Sequence, residues 1–76
     1  MANRITFKLA QEYIELYKLL KLLDIAESGG QAKAFVEQGE AMLNSQPETR
    51  KRAKIRPGDR VEIKGYTIEV VAEISG

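Results

Sequence analysis

The sequence predicts an α+β fold in which two amino-terminal helices pack on a small, mostly antiparallel β-sheet. A short alternating segment near the amino terminus precedes two stretches in which apolar residues have helical spacing. The second half of the chain returns to alternation and is interrupted by turn residues. A chain of 76 residues is long enough for one small core, so a single domain over residues 1–76 is expected.

The first strand and the first helix are separated by a change of period. Residues 4–9 alternate between polar and apolar side chains, which predicts a half-buried strand. Over residues 10–23, leucines and tyrosines recur at steps of three and four, which predicts one helix with an apolar face in the core. Lys18 and Lys21 are three residues apart on this helix, so they share a side that could extend a basic surface.

The second helix is predicted over residues 29–38. Ser28 precedes it and Gln31 follows three positions later, which is the spacing of a capping box. Gly39 can adopt the left-handed conformation that commonly ends a helix. The amides at the helix start could hold a phosphate, although a cap followed by flexible glycines is the favoured explanation of residues 28–30. Gln31 could read a base edge or a ribose, and its capping role explains it equally well. Lys33 projects from the first turns of this helix.

The remaining residues predict short strands joined by tight turns. Apolar residues alternate with polar ones, and Gly, Pro, Asn and Asp punctuate the alternation. The predicted strands cover residues 40–43, 60–63 and 66–70, and the predicted turns fall at residues 44–45, 57–59 and 64–65.

A dense run of cations, here called the basic segment (residues 50–56), lies between two of these turns. It contains five cations and no acid: Arg50, Lys51, Arg52, Lys54 and Arg56. Six cations against one acid give residues 50–60 a charge of +5, although the whole chain carries only +1. Such a concentrated positive face suits a polyanionic partner. In an extended segment, alternation would place Arg50, Arg52 and Lys54 on one side and Lys51 on the other.

The composition argues against an enzyme and against a metal protein. The chain has no Cys and no His, which removes the usual nucleophile and base pairs and the commonest metal ligands. Glu12 and Glu15 share a helix side, but exposed acidic pairs are nearly always solvated rather than catalytic. No catalysis, cofactor or metal is therefore expected. No secretion signal and no apolar run of ~20 residues occurs, so a soluble cytoplasmic protein is expected.

Three motifs follow one another along the chain: Ser-Gly-Gly-Gln-Ala-Lys at 28–33, Gly-Glu-Ala-Met-Leu-Asn-Ser at 39–45 and Pro-Gly-Asp-Arg-Val at 57–61. Their order and spacing resemble the RNA-binding domain named after bacterial small-ribosomal-subunit protein four, the S-four domain. The resemblance extends from about Ile5 to Val71. The basic segment, the double glycine and the terminal Val-Val-Ala resemble small stand-alone bacterial members. Gly29 stands where the family often has Arg, and Ser45 replaces a hairpin Gly.

The resemblance implies an αL-type fold, in which two packed helices and a following strand and loop form a surface for structured RNA. Family members occur in ribosomal proteins, pseudouridine synthases, a tyrosyl-tRNA synthetase appendage and a ribosome-associated heat-shock protein. A non-catalytic monomer that binds ribosomal or transfer RNA in ribosome assembly or translation is expected. The candidate RNA contacts are foremost Arg50, Lys51, Arg52 and Lys54, then Lys33. Ser28 and Gln31 are candidates at the start of the second helix, and Lys18, Lys21 and Arg56 are peripheral candidates.

Two other functions and the identity of the RNA stay open at this point. The basic segment could bind an acidic protein partner, as in an interaction adaptor. Binding to a membrane surface ranks last, because no amphipathic helix with exposed Trp or Phe accompanies the basic segment. Side chains read the deep, narrow major groove of A-form RNA poorly, so recognition of RNA shape is expected. Stacking of bases on aromatic side chains is not expected, because Tyr13, Tyr17 and Phe35 are expected in the core.

Overall fold

Seven strands and two helices make up residues 3–73, which the computed structural model describes. The α+β class is confirmed. The helices are α1 (Leu16–Leu22) and α2 (Gly29–Glu37). The strands are β1 (Asn3–Leu9), β2 (Ile14–Glu15), β3 (Ala41–Leu43), β4 (Gln46–Pro47), β5 (Lys54–Ile55), β6 (Arg60–Ile63) and β7 (Tyr66–Ala72).

Five of the strands form one sheet in the order β1-β7-β6-β3-β4. The pairs β7–β6, β6–β3 and β3–β4 are antiparallel, whereas β1 runs parallel to β7 in a register that joins Ile5 to Ile68. The mostly antiparallel sheet is therefore confirmed. A parallel pair needs a long crossover between its strands, and here that crossover contains both helices. Strands β2 and β5 form a separate antiparallel pair beside the helices.

The core lies between the helices and one face of the sheet. Alternation along β6 and β7 buries one set of side chains and leaves the other on the opposite, outer face. Each buried aliphatic side chain contributes about 1.5–3 kcal/mol. The largest side chains that are less than 2% exposed are Leu16, Leu19, Leu20, Val36, Ile55, Val61, Ile68 and Val70.

Two hairpin turns have positive φ angles at both central residues, as two-residue type I′ turns require. Asn44 and Ser45 have φ angles of 51° and 68°, and Lys64 and Gly65 have φ angles of 49° and 81°. Glycine adopts such angles without a steric penalty, whereas serine does not. Ser45 therefore holds a conformation that its side chain disfavours.

The first helix begins later than the periodicity predicts. Helix α1 starts at Leu16, and Ile14 instead pairs with Ile55 through β2 and β5. The predicted core position of Tyr13 is wrong, because this residue is 39% exposed. The apolar spacing of residues 10–16 is compatible with a helix, so the strand pairing that replaces it has no local signal. Neither described helix is long and apolar enough to cross a membrane.

The second helix agrees closely with its prediction. It ends at Glu37, one residue before the predicted end, and Gly39 has the expected positive φ angle of 81°. Ala32 and Val36 are buried, and Phe35 packs against the core. Its start is capped by Ser28, as the sequence predicts.

Candidate nucleic-acid interface

The backbone of the basic segment caps helix α1. This helix has no side-chain cap, and instead its Leu16 N–H donates to the carbonyl of Ala53 at 2.9 Å. The Tyr17 N–H donates to the carbonyl of Lys51 at 3.0 Å. These bonds satisfy amides that the start of a helix otherwise leaves unpaired. These bonds also hold the basic segment against the amino-terminal end of α1.

Two buried apolar side chains anchor the basic segment to the core. Ala53 and Ile55 are buried, and Ile55 pairs with Ile14 across β2 and β5. The cationic side chains between and beside these anchors are exposed. The surface of the segment is therefore positive while its underside belongs to the core.

Four of the predicted contact residues line one shallow depression. A turn, closed by a bond of 3.1 Å from the Ala53 N–H to the Arg50 carbonyl, interrupts the segment. The basic segment is therefore not extended at its start, and that prediction is wrong. The three cations that the prediction placed on one side, Arg50, Arg52 and Lys54, nevertheless line the same depression. The residues that line the depression are Arg50, Arg52, Ala53, Lys54 and Arg56.

Arg50 and Lys51 have acidic partners that fix their directions. Glu48 forms a salt bridge with Arg50 at 3.0 Å, and Arg50 holds the pKa of the Glu48 carboxyl below its usual value. Lys51 Nζ lies 3.2 Å from Glu37 Oε2 on helix α2, so it points toward that helix. The sequence did not predict that Glu48 pairs with Arg50. The only signal of this pair in the sequence is the two-residue spacing between them.

A second group of cations surrounds Tyr17 where α1 meets α2. The Nζ atoms of Lys33 and Lys18 lie 4.7 Å and 5.9 Å from the centroid of the Tyr17 ring. A hydrogen bond to Glu15 raises the pKa of Lys18, and the nearby charge of Arg52 opposes this rise. Because the Tyr17 amide also binds the basic segment, Lys18 and Lys33 continue its positive surface onto the helices.

Three predicted contact residues, Ser28, Gln31 and Lys21, either stabilise a helix end or lie apart from the basic segment. The Gln31 N–H donates to Ser28 Oγ at 3.1 Å, and Gln31 Oε1 accepts from the Glu27 N–H. The capping pattern is thus displaced, since the glutamine side chain reaches Glu27 rather than Ser28. Lys21 is exposed in the last turn of α1. Within residues 3–73, no hydrogen bond or ion pair joins Lys21 to the basic segment.

Tyr13 is a neighbour of the basic segment that the sequence did not predict. The Nζ atom of Lys54 lies 5.0 Å from the centroid of the Tyr13 ring, a distance typical of a cation–π contact. This arrangement follows from the β2–β5 pairing, which puts Glu15 opposite Lys54. The segment before α1 therefore adds an exposed aromatic ring to the edge of the cationic surface.

Carboxylates do not gather into a metal site in the described part of the chain, where no group of three or more potential ligands occurs. The acidic residues are instead spread among the cations. Glu15, Glu37 and Glu48 each pair with a cation at or beside the basic segment. The chemistry that this surface offers is thus the attraction of an anion by fixed positive charges.

Comparison with known proteins places the chain in a family. The family model described as the S4 domain matches residues 7–71. The Bacillus subtilis (strain 168) protein named "Probable ribosome maturation protein RlbA" is 42% identical over 66 residues, which are 87% of this chain and 90% of the relative. YbcJ of Escherichia coli (strain K12) is 43% identical over 68 residues, which are 88% of this chain and 97% of the relative.

A solved structure agrees with these matches. The solution structure of Escherichia coli YbcJ matches with a TM-score of 0.72 and 42% identity, and the match covers 95% of this chain and 92% of that one. That structure is described as revealing an αL motif involved in RNA binding. The fold, the matched residues and these relatives together show that the chain belongs to the S4 domain family and has the αL architecture.

Proposed function

We propose that this chain is a non-catalytic RNA-binding protein that docks structured ribosomal or transfer RNA on its cationic surface. It would act as a cytoplasmic monomer in ribosome assembly or translation. The observation that carries this function is the capping of α1 by the carbonyls of Lys51 and Ala53. This capping fixes the backbone of the basic segment, so that its exposed cations project from a surface that is formed before any ligand arrives.

The contacts would be made mainly with phosphates. Arg52, Lys54 and Arg56 are exposed and form no ion pair among residues 3–73. Arginine and lysine side chains of this kind displace the counterions condensed on a nucleic acid, which makes the affinity depend steeply on salt. Phosphate contacts alone fix the orientation of the RNA but do not read its sequence.

The shape of the surface favours folded RNA over a simple duplex. The basic segment and the pair Lys18 and Lys33 form two connected groups of cations, one on the segment and one on the helices. A junction or a loop brings phosphates of separate strands close together, so it can contact both groups at once. Side chains read the deep, narrow major groove of A-form RNA poorly, so the arrangement of phosphates is what such a surface can recognise.

The relatives support the same function. YbcJ is described as containing a motif involved in RNA binding, and the name of RlbA refers to ribosome maturation. The two matches cover 87% and 88% of this chain, so they support the family assignment over most of its length. These names favour ribosomal RNA as the first target to test.

The test is crosslinking in cells followed by sequencing of the attached RNA. The variant Arg52→Gln, Lys54→Gln, Arg56→Gln removes three charges and leaves Arg50 in place, because Glu48 would otherwise lose its partner. A matched control, Arg4→Gln, Lys8→Gln, Arg60→Gln, removes three charges from the outer face of the sheet, opposite the helices. Circular dichroism should show that both variants are folded.

We expect discrete crosslinks in ribosomal or transfer RNA for the wild type and the control, and their loss in the first variant. The positions of these crosslinks would name the target. If all three proteins recover the same sparse background, RNA binding by this surface is wrong. The basic segment should then be tested as a docking site for an acidic protein.

A further inference from the structure

Tyr13 presents an exposed ring, and its cation–π contact with Lys54 is a surface contact rather than packing in the core. The chain has three tyrosines and two phenylalanines, and Tyr13 is the one among these five that is classed as exposed. Tyr17 and Phe35 pack against the core, as aromatic residues of a small domain usually do. A ring that is 39% exposed at the edge of a cationic surface therefore needs another explanation.

The surroundings of Tyr13 suit an uncharged, planar group. The ring lines an open depression of about 450 Å³ together with Gln11, Glu12, Ile14, Glu15 and Lys18. Lys18 pairs with Glu15 at 3.2 Å, and Glu12 leaves the depression with a net negative charge, so it attracts a phosphate less than the basic segment does. The amide, the carboxylates and the ammonium offer donors and acceptors of the kind that bind the edge of a base.

The Tyr13 ring lies beside the cations of the basic segment. Lys54, which lines the neighbouring cationic depression, has its ammonium 5.0 Å from the centroid of the Tyr13 ring. Because Lys54 lies over one face of the ring, a base would stack on the other face. A nucleotide whose phosphate contacts Lys54 can bring its own base or an adjacent one there. Stacking of a base on an aromatic side chain is favourable and tolerates any base, because every base has a π face.

We propose that Tyr13 stacks on an unpaired nucleobase, such as a bulged or looped nucleotide, of the RNA that the basic segment binds. The base must be unpaired because the bases of a continuous A-form helix are stacked on each other and are not available to a side chain. The inference rests on the proposed function. It adds a preference for RNA with an unpaired nucleotide beside a helix.

The test compares two RNA hairpins that differ by one nucleotide. One hairpin is fully paired, and the other carries a single bulged 2-aminopurine, whose fluorescence falls when it stacks. Binding of both hairpins at low salt is measured for the wild type, Tyr13→Phe, Tyr13→Leu and the variant Arg52→Gln, Lys54→Gln, Arg56→Gln. Tyr13→Phe keeps the ring, whereas Tyr13→Leu keeps an apolar side chain without it.

We expect the wild type and Tyr13→Phe to bind the bulged hairpin more tightly than the paired one and to quench its fluorescence. Tyr13→Leu should lose about 5- to 140-fold in affinity for the bulged hairpin and should lose the quenching. Its affinity for the paired hairpin should stay unchanged. That last result separates the ring from any indirect effect on Lys54, which would weaken binding of both RNAs.

The failures of the inference and of the proposed function are distinguishable. If the triple variant loses both RNAs but Tyr13→Leu keeps the preference for the bulge, the inference is wrong and the function stands. The same conclusion holds if the wild type binds both hairpins equally. If the wild type binds neither hairpin, or if the triple variant binds both as tightly as the wild type, the proposed function and the inference are both wrong.

Discussion

The carboxylate of Glu48 accepts three hydrogen bonds from Arg50. The donors are the Arg50 backbone N–H at 3.0 Å, Nε at 3.0 Å and Nη2 at 3.1 Å. The Glu48 side chain is only 11% exposed, whereas that of Arg50 is 79% exposed. A nearly buried anion thus holds the first cation of the basic segment at the surface. Breaking this pair would leave a carboxylate in the protein interior with few partners.

Replacing Glu48 should lower stability in a manner that depends on pH. Glu48→Gln should reduce the free energy of unfolding by about 1–2 kcal/mol at neutral pH, because bonds to a charged group are lost. Arg50 lowers the pKa of Glu48, so the stabilisation is complete above the ordinary glutamate value of 4.5 and disappears as the pH falls through the lower pKa of the folded protein. Chemical denaturation of the wild type and of Glu48→Gln, at neutral pH and at a series of pH values below 4.5, measures both free energies of unfolding.

The difference between the wild type and Glu48→Gln is the informative quantity. Other carboxylates titrate in both proteins, so their effects cancel in the difference. The difference should shrink as the solution becomes more acidic than pH 4.5. A difference that stays constant, or that grows toward acid, would show that the ionised carboxylate does not stabilise the fold.

Removing one phosphate contact should change the salt dependence of RNA binding by a fixed amount. Arg52→Gln should weaken binding of different RNA sequences to a similar extent and should reduce the slope of log K against log salt by about 1. Arg4→Gln is the control, since Arg4 pairs with Glu69 on the outer face of the sheet. Titrations at several salt concentrations test this. An equal change of slope in both variants would contradict a local contact at Arg52.

Gly29 offers a site at which affinity for RNA can be increased. A Cβ atom at Gly29 would meet only Tyr17 Cε2, at an ordinary contact distance of 3.9 Å, so a side chain fits. In Gly29→Arg, arginine has a better helix propensity than glycine, but its positive charge is unfavourable at the positive end of the helix dipole. Because these two effects oppose each other, the free energy of unfolding should change by less than about 1 kcal/mol. The added charge should tighten RNA binding and increase the salt slope by about 1.

Gly29→Gln is the matched control for this prediction. It adds a side chain of similar reach but no charge, so it should leave the salt slope unchanged. Tighter binding by both variants would mean that helix stability, rather than the charge, controls affinity. Tighter binding by neither would mean that the RNA does not approach the start of α2.

The two type I′ turns allow a reciprocal test of backbone strain. Ser45→Gly should raise the free energy of unfolding by about 1 kcal/mol, because a residue other than glycine is strained at a φ angle of 68°. Gly65→Ser introduces the same strain at a φ angle of 81° and should lower stability by a similar amount. Thermal and chemical unfolding of both variants would measure this.

One local contact opposes the first of these changes. Arg60 Nη2 donates to Ser45 Oγ at 2.9 Å, in an exposed position where such a bond contributes little. If Ser45→Gly destabilises the protein while Gly65→Ser also does, the bond to Arg60 outweighs the strain. If neither variant changes stability, strain at these turns is negligible.

The parts of the fold that the sequence predicted correctly are those with local chemical signals. Ser28 and Gly39 mark the ends of α2 by the hydrogen bonds and backbone angles that they favour. Alternation likewise identifies β1 and β7. The start of α1 was wrong because Ile14 pairs with Ile55, which is distant in the chain. A window around Ile14 contains no information about that partner.

The candidate site shows the same division. Its cations were evident from composition, whereas the turn that groups Arg50 with Arg52 was not. The acceptors that hold this turn against α1 are backbone carbonyls, which every residue type possesses. The exposure of Tyr13 follows from the late start of α1, so one error about a helix boundary concealed the aromatic ring.

The capping of α1 by main-chain carbonyls separates architecture from recognition. Leu16 and Tyr17 bind the peptide groups of Ala53 and Lys51, so the scaffold depends little on which outward side chains the neighbouring residues carry. Arg52, Lys54 and Arg56 can then be exchanged one at a time while the frame persists. If these side chains make the proposed RNA contacts, a lineage of such proteins could change its ligand through substitutions at a few surface codons, without passing through unfolded intermediates.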